Sequence, residues 1–218
     1  QPAAARELYE ASRARLPGAE QSLAHLAQAM IATGDEAGAR TVIEQAIADN
    51  RHPELVAIAA QLTSGLNSSG HAALVATGGR SPGPVYDRMR EDDLDWAHVA
   101  VTLSDERQVD AASPNSNARL LRERLFLGPA AAARFLPLTD YAEPALRLLL
   151  PFDAVMLGMG EDGHVASLIP GSPVMAEAMD PGGRALIAES PEGFGSPPVA
   201  RITLTLAALL QSRGIFLL

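Results

Sequence analysis

Short, uninterrupted apolar runs recur along this sequence, and a helix-forming segment lies between most of them. The clearest runs are residues 72–76, 98–103 and 153–157. Strands that are buried on both faces have this continuous apolar pattern, and strands that alternate with helices usually pair in parallel. The sequence therefore predicts an α/β fold: a Rossmann-like, mostly parallel sheet with helices on both faces.

Three more apolar runs, residues 185–188, 200–204 and 214–218, lie near the end of the chain. We expect all three to be strands, with residues 215–218 as an interior strand of the sheet that has nothing after it. An interior strand at the last residue predicts that the sequence stops before the natural end of the domain.

Residues 1–53 have a different character and predict a separate α-helical hairpin module, which precedes an α/β domain at residues 54–218. The segment is rich in alanine, and two apolar helix faces flank a turn at residues 33–35. Small residues at equivalent positions, such as Ala11 and Ala46, make it similar to a tetratricopeptide repeat. An ordinary helical hairpin explains the pattern equally well. In either case the helices could recruit a protein partner.

The composition argues against several classes of function. The chain of 218 residues has a net charge of −9, which argues against a broad nucleic-acid-binding or anionic-membrane surface. It has no cysteine, and therefore neither disulfides nor a thiolate metal site. All 17 basic residues are arginine, which excludes a Schiff-base lysine and the lysine of a P-loop. No apolar run approaches the ~20 residues that span a bilayer, and the first residues do not resemble a signal peptide, so we expect a cytoplasmic location.

Three loops follow predicted strands, at the edge where doubly wound sheets bind ligands. The first, TGGRSPG at residues 77–83, has two glycines, Gly78 and Gly79, that let the backbone approach a ligand closely. Arg80, Ser81 and the exposed N–H groups would suit a phosphate. A plain turn before a helix is the alternative.

The second loop, SDERQVD at residues 104–110, has charged side chains directly after a strand. Arg107 is suited to binding an oxyanion through its forked guanidinium. Asp105 or Glu106 could orient Arg107 or the histidine of the third loop. A solvated charged loop is the alternative, because most such triplets are surface features.

The third loop, GMGEDGH at residues 158–164, has His164 among turn residues at a strand exit. Functional residues favour such loops, and a neutral imidazole is a suitable general base near pH 7. Glu161, Asp162 and His164 could also form a metal cluster, but no second histidine shares a helical face with His164. We therefore expect no metal site.

In their order along the chain, these loops resemble the motifs of the 6-phosphogluconolactonase family. That family has SGGSTP after one strand, DER-x-V after another with an SN pair some residues later, and a GMGEDGHTASLFPG block. The present sequence has TGGRSP at residues 77–82, DERQV at 105–109 with Ser116-Asn117, GMGEDGHVASLIPG at 158–171, and the family's RITLT at 201–205. The resemblance covers residues 53–218.

The resemblance implies hydrolysis of 6-phosphoglucono-1,5-lactone to 6-phosphogluconate in the pentose phosphate pathway, without a metal or an organic cofactor. It implies His164 as the general base, and Asp105 as the residue that positions Arg107 or His164. The substrate phosphate would be held by the glycine-rich loop and two guanidinium groups: Gly78, Gly79, Arg80, Ser81 and Arg107.

The substrate would also contact the loop of Gly160, Asp162 and Gly163, where the N–H groups of Gly163 and around Gly160 would stabilise a developing oxyanion. Two departures from the family pattern accompany this resemblance. Arg80 stands where the family usually has serine, and the family's C-terminal continuation, with a lysine near the phosphate site, is absent from this sequence.

Two related groups of proteins are less similar to this chain. Glucosamine-6-phosphate deaminases share the fold but have DEY where this chain has DER, so that a tyrosine stands in place of Arg107. They also have AFNEPG where this chain has ASLIPG. Sugar-binding domains of some bacterial transcription regulators look similar but lack the histidine block. A protein that binds a sugar phosphate or recruits a partner, without turnover, is the remaining alternative.

Overall fold

The computed structural model describes residues 53–79, 82–160 and 162–218. The tetratricopeptide-like segment predicted at residues 1–53 therefore lies outside the described residues, apart from its last position. The chain divides into two compact units, one ending at Ala60 and the other running from Gln61 to Leu218. Both sheets and the main cleft belong to the second unit.

The described part of the chain alternates helices and strands, as the apolar runs predict. The helices are α1 (Pro53–Ser69), α2 (Pro82–Met89), α3 (Asn117–Arg124), α4 (Glu143–Arg147), α5 (Met175–Ala178) and α6 (Leu206–Leu209). The strands are β1 (Ala72–Ala76), β2 (Val99–Leu103), β3 (Asp105–Arg107), β4 (Arg134–Phe135), β5 (Ala154–Leu157), β6 (Ile187–Ser190), β7 (Arg201–Leu204) and β8 (Ile215–Leu217). Among the described helices, none is long and apolar enough to cross a membrane.

The central sheet has five parallel strands in the order β4-β2-β1-β5-β8. Every residue of β1, β2 and β5 is buried, which agrees with their continuous apolar sequences. The chain runs outward from β1 through β2 to β4, and then crosses to the other side of β1 to form β5 and β8. The strand order therefore reverses between β1 and β5, and the carboxyl ends of these two strands flank the crevice where open α/β sheets bind ligands.

A second, antiparallel sheet has the order β3-β7-β6. It corrects two expectations. Residues 104–110 were expected to form a loop but contain strand β3. The runs at 185–188 and 200–204 were expected in the parallel sheet, but β6 and β7 lie in this antiparallel sheet. The charged residues of the short edge strand β3 carry no apolar signal, and the buried strand β7 has the same apolar pattern as a parallel strand. The mostly parallel fold class is confirmed.

Strand β8 lies at one edge of the described sheet, where β5 is its hydrogen-bonded neighbour. This strand was expected to be an interior strand. It is instead an edge strand of the described sheet, and Ile215 is 46% and Leu217 41% exposed.

The start of helix α3 is fixed by two side chains that accept hydrogen bonds from its free N–H groups. The N-cap residue Ser116 accepts from Arg119 N at 3.1 Å, and Glu106 accepts from Asn117 N and Ala118 N at 2.7 Å each. Side chains of this kind satisfy donors that have no partner within the helix. Glu106 thus joins β3 to α3 and sets the position of Asn117 relative to Arg107.

Candidate active site

A cleft of about 840 Å³ opens at the carboxyl ends of β1 and β5, where the strand order reverses. Its lining brings together residues from all three loops singled out in the sequence: Thr77, Gly78, Gly79, Asp105, Gly158, Gly160, Asp162 and His164. A further wall comes from Gly195 and Ser196. Clefts of this size, at this position in a sheet, accept small organic ligands.

The imidazole of His164 is held by the carboxylate of Asp162. The distance from His164 Nδ1 to Asp162 Oδ1 is 2.5 Å, and this hydrogen bond lowers the pKa of Asp162 below its ordinary value. An ionised carboxylate can only accept, so Nδ1 carries the hydrogen, and in the neutral form of the ring Nε2 has a free lone pair. The His164 side chain is 24% exposed, which leaves it accessible from the cleft.

A tight turn folds the imidazole over Gly160. A Cβ atom on Gly160 would lie 2.3 Å from His164 Cε1 and 2.4 Å from its Nδ1, so only glycine leaves room for the ring. Gly160 N donates to His164 O, and Gly163 N donates to Gly160 O, each at 2.9 Å. Gly163 has φ +83°, a conformation that favours glycine.

These backbone bonds bear on the expected oxyanion role of Gly163 and the N–H groups around Gly160, which stays a prediction. Both N–H groups donate to carbonyl oxygens inside the turn, so neither is free to donate to a substrate oxygen in this structure. The physical reason is that so tight a turn satisfies its own backbone groups.

Asp105 is buried, and its carboxylate is surrounded by neutral donors. It accepts from Ser167 Oγ at 2.7 Å, from Ser104 Oγ at 3.2 Å and from Asn117 Nδ2 at 3.3 Å. Within the described residues, Asp105 makes no direct hydrogen bond to His164 or Arg107, and its expected positioning role stays a prediction, with Asn117 as the link to Arg107. The residue that holds His164 is Asp162, and Asn117 stands between Asp105 and Arg107.

Arg107 is tied to the start of helix α3. Its Nη1 donates to Asn117 Oδ1 at 2.7 Å and to Asn115 O at 2.8 Å. Arg107 is absent from the described lining of the cleft. Its Nη2 makes no hydrogen bond with the described residues and is therefore available to a ligand. Glu106, the other candidate orienting residue, bonds to the backbone N–H of Arg107 and to α3.

The turn after β1 is pinned from below by Tyr86. Its hydroxyl donates to Thr77 O at 2.6 Å and accepts from Thr77 N at 2.9 Å. Burial is the main cause that raises the pKa of Tyr86, so the phenol stays protonated and can serve both groups. Gly79 has φ +101°. The proposed phosphate ligands Arg80 and Ser81 lie outside the described residues.

Three neighbours of these residues were given no role in the sequence reasoning, although each stands in a quoted motif: Asn117, Ser167 and Arg201. Asn117 bridges Asp105 and Arg107, and Ser167 and Arg201 lie behind Asp105. Arg201 had a further signal, since a charged residue at the start of a strand that is otherwise apolar or small is unusual when that strand is buried.

No metal centre forms within residues 53–79, 82–160 and 162–218, where no group of three or more candidate ligand side chains comes together. Glu161, the third member of the cluster considered from the sequence, lies outside these ranges.

Together, the parallel sheet and the crevice at its strand reversal define an α/β domain of the kind that binds small ligands, and its cleft contains a histidine–carboxylate pair. The sequence pattern of glucosamine-6-phosphate isomerases/6-phosphogluconolactonase matches residues 52–218. The chain therefore belongs to the glucosamine-6-phosphate isomerase/6-phosphogluconolactonase family, and the resemblance seen in the motifs is confirmed.

Individual relatives agree with this assignment. The chain is 40% identical over 167 residues to a 6-phosphogluconolactonase of Caulobacter vibrioides, covering 72% of each chain. It is 42% identical over 169 residues to a 6-phosphogluconolactonase of Pseudomonas aeruginosa, covering 72% of this chain and 69% of the relative. The crystal structure of a 6-phosphogluconolactonase from Shewanella baltica superposes with a TM-score of 0.68 at 36% identity, covering 75% of this chain and 73% of that one.

Proposed function

We propose that this chain hydrolyses 6-phosphoglucono-1,5-lactone to 6-phosphogluconate, a step of the pentose phosphate pathway. Two relatives at 40% and 42% identity are 6-phosphogluconolactonases, which supports this substrate. The observation that carries the reaction type is the His164–Asp162 pair in the cleft. An imidazole with a free Nε2 lone pair and an ionised partner on Nδ1 is suited to activating water.

The proposed mechanism uses His164 first as a base and then as an acid. Nε2 takes a proton from water as the water oxygen attacks C1 of the lactone, and the carbonyl oxygen gains negative charge. When the tetrahedral intermediate collapses, the bond between C1 and the ring oxygen breaks, and the imidazolium returns its proton to that oxygen. Asp162 orients the ring and stabilises the transient imidazolium.

The phosphate group would bind at the other end of the cleft. We assign Gly78, Gly79, Arg80, Ser81 and Arg107 to this role. Glycine N–H groups and a guanidinium suit a phosphate dianion, and a group bound far from C1 converts binding energy into orientation of the reacting carbon. Hydrolysis adds water across the bond between C1 and the ring oxygen, so the proposed reaction involves no transfer of electrons to a cofactor.

The test is the rate of lactone hydrolysis by the purified chain and by His164→Ala, after subtraction of spontaneous hydrolysis. We expect the substitution to lower kcat by about 10²-fold or more, the usual contribution of a general base. His98→Ala is the matched control, because His98 Nδ1 also contacts a carboxylate, Asp95 Oδ2 at 2.7 Å, but lies outside the cleft. Equal rates for the unchanged chain and His164→Ala would refute His164 as the base.

Two other functions predict different results in the same assays. A sugar-phosphate-binding protein would gain thermal stability from 6-phosphogluconate without any turnover of the lactone. A deaminase would release ammonia from glucosamine 6-phosphate, which we expect not to occur.

A further inference from the structure

Arg201 is a charged residue buried behind the cleft. It is the first residue of β7, and it is 2% exposed. In the register of the antiparallel sheet, Arg201 lies directly opposite Arg107. Like charges in opposed positions of a sheet are destabilising, and a buried guanidinium costs free energy unless its donors are bonded. The free-energy cost of burying Arg201 opposite Arg107 must therefore be offset by interactions that its side chain makes.

The guanidinium of Arg201 has neutral partners. Nη2 donates to Pro197 O at 2.8 Å and Nη1 to Ser167 Oγ at 3.4 Å, while Nε is buried without a partner. Within the described part of the chain, Arg201 forms no ion pair. Burial is the main cause that lowers the pKa of Arg201, and the nearby Arg107 lowers it further, while the carboxylates of Asp105 and Asp162 raise it. Two hydrogen bonds hold the side chain, and both lead to residues at the cleft.

Each of these bonds reaches a different part of the cleft lining. Ser167 Oγ, which accepts from Arg201, donates to Asp105 Oδ2 at 2.7 Å, and Asp105 lines the cleft. Pro197 directly follows Gly195 and Ser196, which also line the cleft. One rigid guanidinium therefore connects the carboxylate on β3 with a wall far along the chain.

Gly195 shows how closely this wall packs on the guanidinium. A Cβ atom on Gly195 would lie 2.9 Å from Arg201 Nη2 and 3.2 Å from its Cζ. It would also lie 2.8 Å from Ile169 Cδ1. The wall therefore rests directly on Arg201, and only a glycine permits this approach.

We propose that Arg201 is a positioning residue of the active site, which sets the Gly195–Ser196 wall and, through Ser167, the Asp105 carboxylate. The proposal rests on the proposed function for its main readout. Arg201 is absent from the described lining of the cleft, so it would act on the substrate through the residues that it holds. Its loss should lower kcat by about tenfold to 10²-fold through misplacement of the reacting end, and weaken ligand binding, measured as KM, by a smaller factor.

The sharpest test compares two glycines of one segment. Gly195 has φ +73° and Gly193 has φ +95°, so alanine strains the backbone at both positions. Only at Gly195 would the new Cβ contact Arg201, since nothing lies within 4 Å of a Cβ on Gly193. We expect Gly195→Ala to lower kcat about tenfold or more relative to Gly193→Ala at a similar loss of Tm.

Two substitutions of Arg201 test the side chain itself. Arg201→Met should reproduce the loss of kcat, and Gly195→Ala should lower kcat less when added to Arg201→Met than in the unchanged chain, because the contact with Arg201 is then already lost while the contact with Ile169 remains. Arg201→Lys keeps the charge and can donate to one of the two oxygens, so it should retain more activity than Arg201→Met. Equal kcat for Gly193→Ala and Gly195→Ala, or full activity of Arg201→Met, would overturn the proposal.

A second readout separates this proposal from the proposed function. If the unchanged chain does not hydrolyse the lactone, the proposed function fails. The increase in Tm on adding 6-phosphogluconate then decides the role of Arg201. Gly195→Ala should reduce that increase and Gly193→Ala should not; equal increases, or none in the unchanged chain, would refute the positioning role as well.

Discussion

The carboxamide of Asn117 occupies the space that any side chain at position 78 would need. A Cβ atom on Gly78 would lie 1.9 Å from Asn117 Oδ1 and 2.2 Å from its Cγ. Asn117 also accepts from Arg107 Nη1 at 2.7 Å and donates to Asp105 O at 2.8 Å. The side-chain amide of Asn117 thus links the turn after β1 with Asp105 and Arg107 of β3.

Gly78→Ala should therefore impair the site through Asn117. The new methyl group must displace the carboxamide, which breaks its bonds to Arg107 and Asp105. We expect kcat/KM for the lactone to fall by at least about tenfold, as for other small displacements of positioned groups. Gly182→Ala is the control, because its Cβ would meet only Asp180 Oδ1 at 3.5 Å, an ordinary contact away from the cleft. Full activity of Gly78→Ala would show that Asn117 does not position Arg107.

Gly160→Ala should displace the imidazole of His164. The Cβ would lie 2.3 Å from His164 Cε1, and the ring cannot move away without losing its bond to Asp162. A shift of about 1 Å in a catalytic group lowers kcat by about 10²-fold. Steady-state kinetics of the purified variant measure this loss.

Gly163→Ala separates the effect of the clash from backbone strain. At φ +83° alanine costs about 1 kcal/mol of stability, but nothing lies within 4 Å of its Cβ. We expect a lower Tm with a smaller loss of kcat than in Gly160→Ala. The reverse order of the two kcat values would contradict a role for Gly160 in seating the ring.

Asp162→Asn tests the orientation of His164. The amide keeps the shape of the carboxylate but removes its negative charge, so the imidazolium formed during the reaction loses its partner. We expect kcat to fall by about 10²-fold or more, because an asparagine beside a catalytic histidine favours the wrong tautomer of the ring. Asp95→Asn, at the exposed pair with His98, serves as the matched control and should leave kcat unchanged. An equal kcat for both variants would remove Asp162 from the mechanism.

The sequence predicted the central sheet well because its strands are buried on both faces. Residues 72–76 and 154–157 are continuous apolar runs, and both strands are buried on both faces. Such strands usually belong to parallel sheets, so the pattern predicts their parallel arrangement. Strand β3 was missed because three charged or polar residues at a sheet edge have the composition of a loop. Its pairing with β7 depends on contacts about a hundred residues apart, which local periodicity does not contain.

The same limit applies to the site. His164 and Gly78 were expected in one cleft because both follow parallel strands, and the strand reversal brings them together. The partner of Asp105 was not predictable, because Ser167 lies 62 residues away and reaches it only through the antiparallel sheet. Proximity in sequence suggested Arg107, whereas the intervening Asn117 belongs to helix α3.

The ion pair between Asp87 and Arg124 predicts how stability depends on pH. Arg124 Nε donates to Asp87 Oδ1 at 2.8 Å, and a second guanidinium nitrogen contacts Oδ2. The hydrogen bond from Arg124 lowers the pKa of Asp87 from its ordinary value of 3.8. A carboxyl with a lower pKa in the folded state stabilises the fold fully above pH 3.8 and loses that contribution as pH falls through the folded-state pKa.

Asp87→Asn should therefore reduce the free energy of unfolding at pH 6 and have a smaller effect as the pH falls below 3.8. Urea unfolding of both proteins between pH 6 and acid measures the difference. Both groups are partly exposed, so added salt should shrink the effect at pH 6. A difference between the two proteins that stays constant through the acid range would mean that the carboxylate charge at Asp87 does not stabilise the link between α2 and α3, and that packing of the side chain does.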